Sequence, residues 1–169
     1  YNVFPLAVYA SRDRKFKDRT NRDMPSVHWF SQTIGPGRGL ELLFSAVEGV
    51  TLLFEIHLRG NLSRGSAEWL ESIIPPELRG RVFFHDTVPN EDLLSRISEH
   101  DIGLALETSD IRSRDLTITN KLFQYLQAGL AVIATDTAGQ REVFSQAPNI
   151  GLLIGNNDAA ALAYAAAMA

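Results

Sequence analysis

The sequence predicts an α/β chain: a Rossmann-like, doubly wound, mainly parallel six-stranded sheet with helices on both faces. Two observations carry this. Short apolar runs rich in β-branched residues alternate about six times with segments of helical periodicity, and parallel strands need helical crossovers of that kind. The glycines and polar residues then fall where each strand hands over to its helix, the end of such a sheet at which ligands bind.

The elements follow in order. Residues 1–25 carry little periodicity, and Ser11 to Asp23 interleaves Arg12, Arg14, Lys15, Lys17, Arg19 and Arg22 with Asp13, Asp18 and Asp23. Such mixed charge reads as a solvated linker or edge segment. The regular pattern starts at Ser26, so residues 26–169 are expected to form the Rossmann-like domain. Ser26 to Thr33 is a strand, Gly35 to Gly39 a tight loop, and Leu40 to Val47 a helix with Leu40, Leu43, Phe44 and Val47 on one face. Thr51 to Leu58 is expected as the second strand, ended by Arg59-Gly60-Asn61. A helix over Ser66 to Ile74 stops at Pro75-Pro76. Arg81 to His85 is the third strand, and a helix capped by Asn90 runs to Glu99. Asp101 to Leu106 is the fourth strand, followed by a polar connection from Glu107 to Thr119. That connection is long for a strand-to-helix loop.

Thr119 is placed as the N-cap of the next helix, with Asn120 and Lys121 in its first turn. Leu122, Leu126 and Gly129 recur at one face, while Lys121, Gln124 and Ala128 share another. Gly129 ends the helix, and Ala131 to Ala134 forms a strand covered on both sides. A short helix over Gly139 to Phe144, a strand over Ile150 to Ile154 and a last helix capped by Asn157 or Asp158 complete the series.

Composition excludes several classes. A net charge of −4 gives no electrostatic footprint for nucleic acid. Without cysteine there is no disulfide framework or thiolate metal site. No run is long and apolar enough to span a bilayer, and no signal peptide is visible in these residues. A cytoplasmic location is expected, with membrane association of a full-length protein left open. The chain begins without methionine and stops within an alanine run, which reads as a fragment of a longer protein. The histidines at 28, 57, 85 and 100 are scattered and show no metal-ligand spacing. They are expected to be packed or hydrogen-bonded rather than catalytic, and no metal is expected.

Three loops could carry chemistry. In Gln32-Thr33-Ile34-Gly35-Pro36-Gly37-Arg38-Gly39 the glycines allow close backbone approach, and Arg38 can pair bidentately with phosphate. The polar connection offers Glu107, Arg112, Arg114 and Asp115 to ligand hydroxyls or phosphates. In Asp136 to Glu142, Gly139 and Gln140 open a helix whose amides could face a ligand. Most pointed is the start of the helix at Asn120. Its free N–H groups and positive dipole end attract anions, while Lys121 sits where the dipole disfavours a cation by up to about 1 kcal/mol. A bound phosphate would offset that cost.

Taken together, these loops resemble the C-terminal donor-binding domain of GT-B fold glycosyltransferases, most like family 4, the glycosyl transferases of group 1. The segment Trp29 to Gly39 resembles the family's strand and loop ending in Lys-Gly or Arg-Gly. Asn120 to Gly129 resembles its Lys-Leu-x-Glu-Tyr-x-x-x-Gly helix, and Thr135 to Glu142 its Gly-Gly-x-x-Glu segment. The resemblance runs from about Ser26 to Gly155.

It implies transfer of a sugar from a nucleotide-sugar donor to an acceptor, without a cofactor and without a metal held by an Asp-x-Asp motif. Arg38 matches the base that neutralises the donor diphosphate, and Lys121 joins it as a catalytic candidate. Gln32, Gly37, Gly39, Glu107, Thr119, Asn120, Gln124 and Gly139 are the expected substrate-binding set. The acceptor would be held by a domain preceding Tyr1. The isolated piece would bind nucleotide and transfer nothing. The pattern departs at Gln32, where many members have a second base. It departs again at Gln124 and Leu116, which occupy the two glutamate positions of Glu-x7-Glu; Glu107 or Asp115 could replace the missing carboxylate. A non-catalytic nucleotide-binding module and a GT-B-related nucleotide-sugar epimerase are the competing readings.

Overall fold

The computed structural model describes residues 24–48, 54–155 and 158–167. The expected linker before residue 24, residues 51–53 of the expected second strand, and Asn157 lie outside the described residues.

The strands are β1 (Ser26–Thr33), β2 (Glu55–Asn61), β3 (Val82–His85), β4 (Ile102–Ala105), β5 (Ala131–Thr135) and β6 (Gly151–Ile154). The helices are α1 (Leu40–Val47), α2 (Arg64–Ile73), α3 (Asn90–Ile97), α4 (Arg112–Asp115), α5 (Asn120–Gln127), α6 (Ala138–Gln146) and α7 (Ala159–Ala167), with short 3-10 turns at Pro76–Arg81 and Pro148–Ile150. All described pairings are parallel, and the strand order is β3-β2-β1-β4-β5-β6. The predicted doubly wound α/β sheet is therefore present. Its order reverses between β1 and β4, which opens a crevice above their carboxyl ends.

Local chemistry explains the boundaries. The Ser26 N–H and hydroxyl both donate to Asp101 Oδ2, at 2.8 and 2.9 Å, which ties the start of β1 to the turn entering β4. β2 does not end at Leu58. It continues to Asn61, because Phe30 pairs with Arg59 and Thr33 with Asn61. Gly60 is not a turn residue there; a β-carbon on it would lie 2.6 Å from the Ser31 carbonyl oxygen, so glycine permits close strand approach. α2 begins at Arg64, two residues before the expected start, because Ser63 accepts from the Ser66 N–H at 3.2 Å. Asn90 is the first residue of α3 rather than its cap, and Pro89 takes the cap position. The polar connection is not wholly irregular, since it contains α4. Thr137 caps α6 by accepting from the Gln140 N–H, and Asp158 accepts from the Ala161 N–H at the start of α7.

Two cores sandwich the sheet. Under α1, α2 and α7 lie Val27, Trp29, Ile56, Leu58, Leu104 and Ile133, all almost fully buried. Under α3, α5 and α6 lie Ala105, Leu122, Tyr125, Val132, Ala134 and Phe144. The face of α5 differs from the expected one. Tyr125 and Ala128 are fully buried with Leu122, whereas Gly129 is exposed. The reason is Gly103 of β4: a β-carbon there would lie 2.1 Å from the Tyr125 ring, so its absence lets α5 settle with the ring against the sheet.

Candidate active site in the crevice between β1 and β4

The glycine loop leaves β1 and enters α1 through Gly39, which is left-handed at φ 85. A side chain there would be strained, and its β-carbon would also lie 2.4 Å from Leu106 Cβ. The loop is thus pressed against the residue following β4, and the two lips of the crevice touch. Arg38 is exposed and donates from Nη1 to Ser31 Oγ at 3.1 Å. Gln32 is exposed near it, at the end of β1. Gly37 is held from both sides: its N–H donates to Glu41 Oε1 at 2.6 Å, and its carbonyl accepts from Arg114 Nη1 at 2.7 Å.

The opposite lip is built on β4 and α5. Lys121 Nζ donates to Glu107 Oε1 at 3.1 Å and lies 5.4 Å from the centroid of the buried Trp29 ring. Both partners of this ion pair are mostly buried, with side-chain exposures of 13% and 20%. Glu107 is fixed through its backbone: its N–H donates to Thr135 Oγ1 at 2.9 Å, and its carbonyl accepts from that hydroxyl at 2.6 Å. Thr135 is anchored in turn by Gln140, whose buried Nε2 donates to the Thr135 carbonyl at 2.9 Å. The Gln140 side chain therefore acts as a brace inside the fold, and its backbone N–H, expected to face a ligand, donates to Thr137 Oγ1 at 3.3 Å.

Thr119 holds the N-cap position of α5 but its side chain makes no capping bond. The first-turn amides at Asn120 and Lys121 are thus not covered by that hydroxyl, which suits an anion site. Asn120 is exposed, and Gln124 lies one turn along, half-buried. Asp115 Oδ1 accepts from the Ala138 N–H at 2.9 Å, which ties the polar connection to the start of α6. Gly139 is buried against the same connection; a β-carbon on it would lie 2.5 Å from the Thr117 carbonyl oxygen.

The structure thus gathers Gly37, Gly39, Glu107 and Lys121 around touching lips. Arg38 stands on the glycine loop, turned back toward β1. Glu41 has no place in the sequence-based set, although an acid in the first turn after a glycine loop could have flagged it.

The histidines are not scattered in space. β1 pairs with β2 so that His28 lies beside His57, and Arg59 of β2 pairs with His85 of β3. His100 packs at 4.5 Å, ring centroid to centroid, from both His28 and His57. His57 Nδ1 lies 2.9 Å from His85 Nε2, and His57 Nε2 lies 3.1 Å from Glu55 Oε2. A neutral His57 that donates to Glu55 accepts at Nδ1, so His85 donates from Nε2. Both ring nitrogens of the fully buried His28 lack a hydrogen-bond partner. Burial pushes its pKa well below the ordinary histidine value, reinforced by His100, Arg59, His57 and His85. His85 is lowered too, by burial first and then by Arg59 and His57. Among the described residues no group of three His, Asp or Glu is arranged to hold a metal ion. Nor is any helix among them long and apolar enough to cross a membrane.

Comparison with solved structures gives the same fold repeatedly. HepE of Anabaena, solved with UDP-glucose, matches with a TM-score of 0.70 at 18% identity, over 85% of this chain and 38% of that one. TarM of S. aureus, solved as a mutant in complex with UDP, Fondaparinux and alpha-GlcNAc-glycerol, matches with 0.62 at 14%, over 92% and 30%. WaaG, a glycosyltransferase involved in lipopolysaccharide biosynthesis, matches with 0.61 at 16%, over 91% and 40%. The chain spans less than half the length of these proteins. No curated protein sequence matches it. The sequence model of the glycosyl transferases group 1 matches residues 26–169, most of the chain, and the chain belongs to that family.

Proposed function

We propose that this chain is the C-terminal, donor-binding half of a family 4, metal-independent hexosyltransferase that uses a nucleotide-sugar. The observation that carries the reading is Lys121. A cation in the first turn of a helix opposes the helix dipole. Here it is nevertheless held largely buried against Glu107 and over Trp29, beside first-turn amides that the Thr119 side chain does not cap, at the point where the strand order reverses. That arrangement suits an anion. A departing nucleoside diphosphate accumulates negative charge at the transition state, and fixed cations and N–H groups aimed at it lower the barrier. Arg38 supplies the second cation once it swings from Ser31, and the Gly37 N–H offers a backbone donor. Asn120 would meet the donor at the helix start, and Gln124, one turn along, would hold the ribose hydroxyls. Gln124 can bond a diol as acceptor and donor, although without charge assistance. The acceptor would be brought by a preceding domain, and this half alone would bind donor without transferring sugar.

Titration with UDP, GDP, ADP and their sugars tests the reading, with UDP first because HepE and TarM were solved with UDP or a UDP-sugar. One base should bind and shift the amides of Arg38, Lys121 and Gln124. Binding by none of them would remove the donor site. In the full-length enzyme Arg38→Ala should cut turnover by at least about a hundredfold, the usual loss when one such donor is removed. Near wild-type turnover would take Arg38 out of the mechanism.

Gln124 favours one second reading. A glutamine where the family places a glutamate, with Glu107 engaged by Lys121, fits a nucleotide-binding module without catalysis. A full-length protein that binds nucleotide but transfers nothing to any acceptor on a panel would establish it.

A further inference from the structure

Donors around the crevice are already taken by carboxylates of the chain itself. Glu107 engages Lys121, Asp115 engages the Ala138 N–H, and Glu41 engages the Gly37 N–H. The first two belong to the scaffold. Glu107 is locked through both backbone groups to Thr135, and Asp115 fastens the polar connection to α6. Glu41 is different. It is exposed, reaches back only four residues, and covers an amide on the loop that faces the crevice. Its bond is short, at 2.6 Å. The next peptide unit is held as well, because the Gly37 carbonyl accepts from the Arg114 guanidinium, so Gly37 is tied on both sides.

We propose that Glu41 is an internal counter-ion of the donor site: its carboxylate holds the Gly37 N–H that a diphosphate would otherwise take, and so sets the affinity of this half for its donor. The inference rests on the donor-site reading, since it presumes that a diphosphate enters the glycine loop. An incoming diphosphate must displace a like charge from its own donor, and Glu41 then remains close to it. The cost falls on the diphosphate and not on the nucleoside. Glu41 thus holds the empty loop in shape while weakening whatever anion replaces it.

The test is calorimetric titration of the wild-type chain, Glu41→Gln and Glu41→Ala with UDP, GDP, ADP, the matching nucleosides and inorganic pyrophosphate. Thermal melts run alongside to confirm folding. Glu41→Gln keeps a side chain that can still accept the bond but removes the charge, so the loop has a partner. The expected result is tighter binding of the nucleoside diphosphate and of pyrophosphate by about three- to tenfold in both variants, with nucleosides unchanged. Unchanged or weaker diphosphate binding in folded Glu41→Gln would overturn the inference and leave the donor reading standing. Tighter pyrophosphate binding in the variants, with no nucleoside diphosphate bound by any of the proteins, would support the counter-ion and overturn the donor reading. Absence of binding by every probe to every protein would overturn both.

Discussion

The two faces of the sheet are built from different chemistry. One face, under α1, α2 and α7, is apolar throughout, with Val27, Trp29, Ile56, Leu58 and Leu104 in a continuous layer. The other changes character along the sheet. Beside β4 and β5 it is closed by Tyr125, Ala105, Val132 and Ala134. Beside β1, β2 and β3 it carries the rings of His28, His57, His85 and His100 packed on one another, with the Arg59 charge acting on them. Parallel strands covered on both sides ordinarily read as unbroken apolar runs. β1 and β2 alternate instead, so one face contributes hydrophobic burial and the other contributes packed rings and hydrogen bonds. The second kind of core depends on its protonation state; the first does not.

The largest effect that separates them is a cavity on the apolar face. Leu58 is fully buried in the middle of β2. Leu58→Ala should destabilise the fold by about 2–5 kcal/mol, with nearly the same loss at pH 7.5 and pH 5.5. Denaturant melts at the two pH values measure it. A loss that varies strongly with pH would mean that the two faces are not independent.

Acid should break the other face. His28 is held neutral in the fold, its pKa lowered first by burial and then by His100, Arg59, His57 and His85. Below the unfolded value near 6.5 the unfolded chain binds a proton that folded His28 refuses, so stability is present above that pH and is lost as pH falls toward the folded pKa. One such histidine gives a slope of up to about 1.4 kcal/mol per pH unit in that window. Lowered His85 adds loss in the same direction, with Glu99 and Asp86 opposing the shift. Melts between pH 7.5 and 5 should show the decline, and His28→Leu should flatten it. An equal slope in that variant would assign acid sensitivity to other groups.

This division also explains what could be read without the structure. Alternation and glycine placement make the six strands legible, β1 in full. The histidine face is not legible from the spacing of the single histidines. What joins them is register: His28 opposite His57, and Arg59 opposite His85. A slip by one residue would send these side chains to the other face, and no local pattern fixes that choice. Arg59-Gly60-Asn61 reads as a turn because glycine commonly breaks a strand, whereas Gly60 here permits close approach to Ser31. In the site, residue types were legible but occupancy was not. That Lys121 is paired with Glu107, Gln140 braces Thr135 and Glu41 covers Gly37 depends on side-chain reach across loops far apart in sequence or folded back on themselves.

The smallest expected effect concerns the residue that joins the histidine face to the crevice. Tyr125 is wholly buried on α5, the helix that carries Lys121 and Gln124, and its hydroxyl donates to the His28 carbonyl at 3.0 Å. Burial also raises its pKa well above the ordinary tyrosine value, so it stays a donor across the working range. Tyr125→Phe keeps the ring against Gly103 and the edge-on contacts with His28 and Phe30, and removes the hydroxyl with its bond to the His28 carbonyl and its backbone interactions at Phe30 and Leu104. The expected cost is about 1 kcal/mol, rising toward 2 because the His28 carbonyl lies where water is scarce. If the hydroxyl only adds stability, melts should shift while nucleotide affinity stays the same. If it also fixes the position of α5 over β1, affinity should fall with stability, since Lys121 and the amides of Asn120 and Lys121 move with the helix. Measuring melting and nucleotide titration on one preparation separates these outcomes. No change in either would show that the packing of the Tyr125 ring, and not its hydroxyl, sets the helix in place.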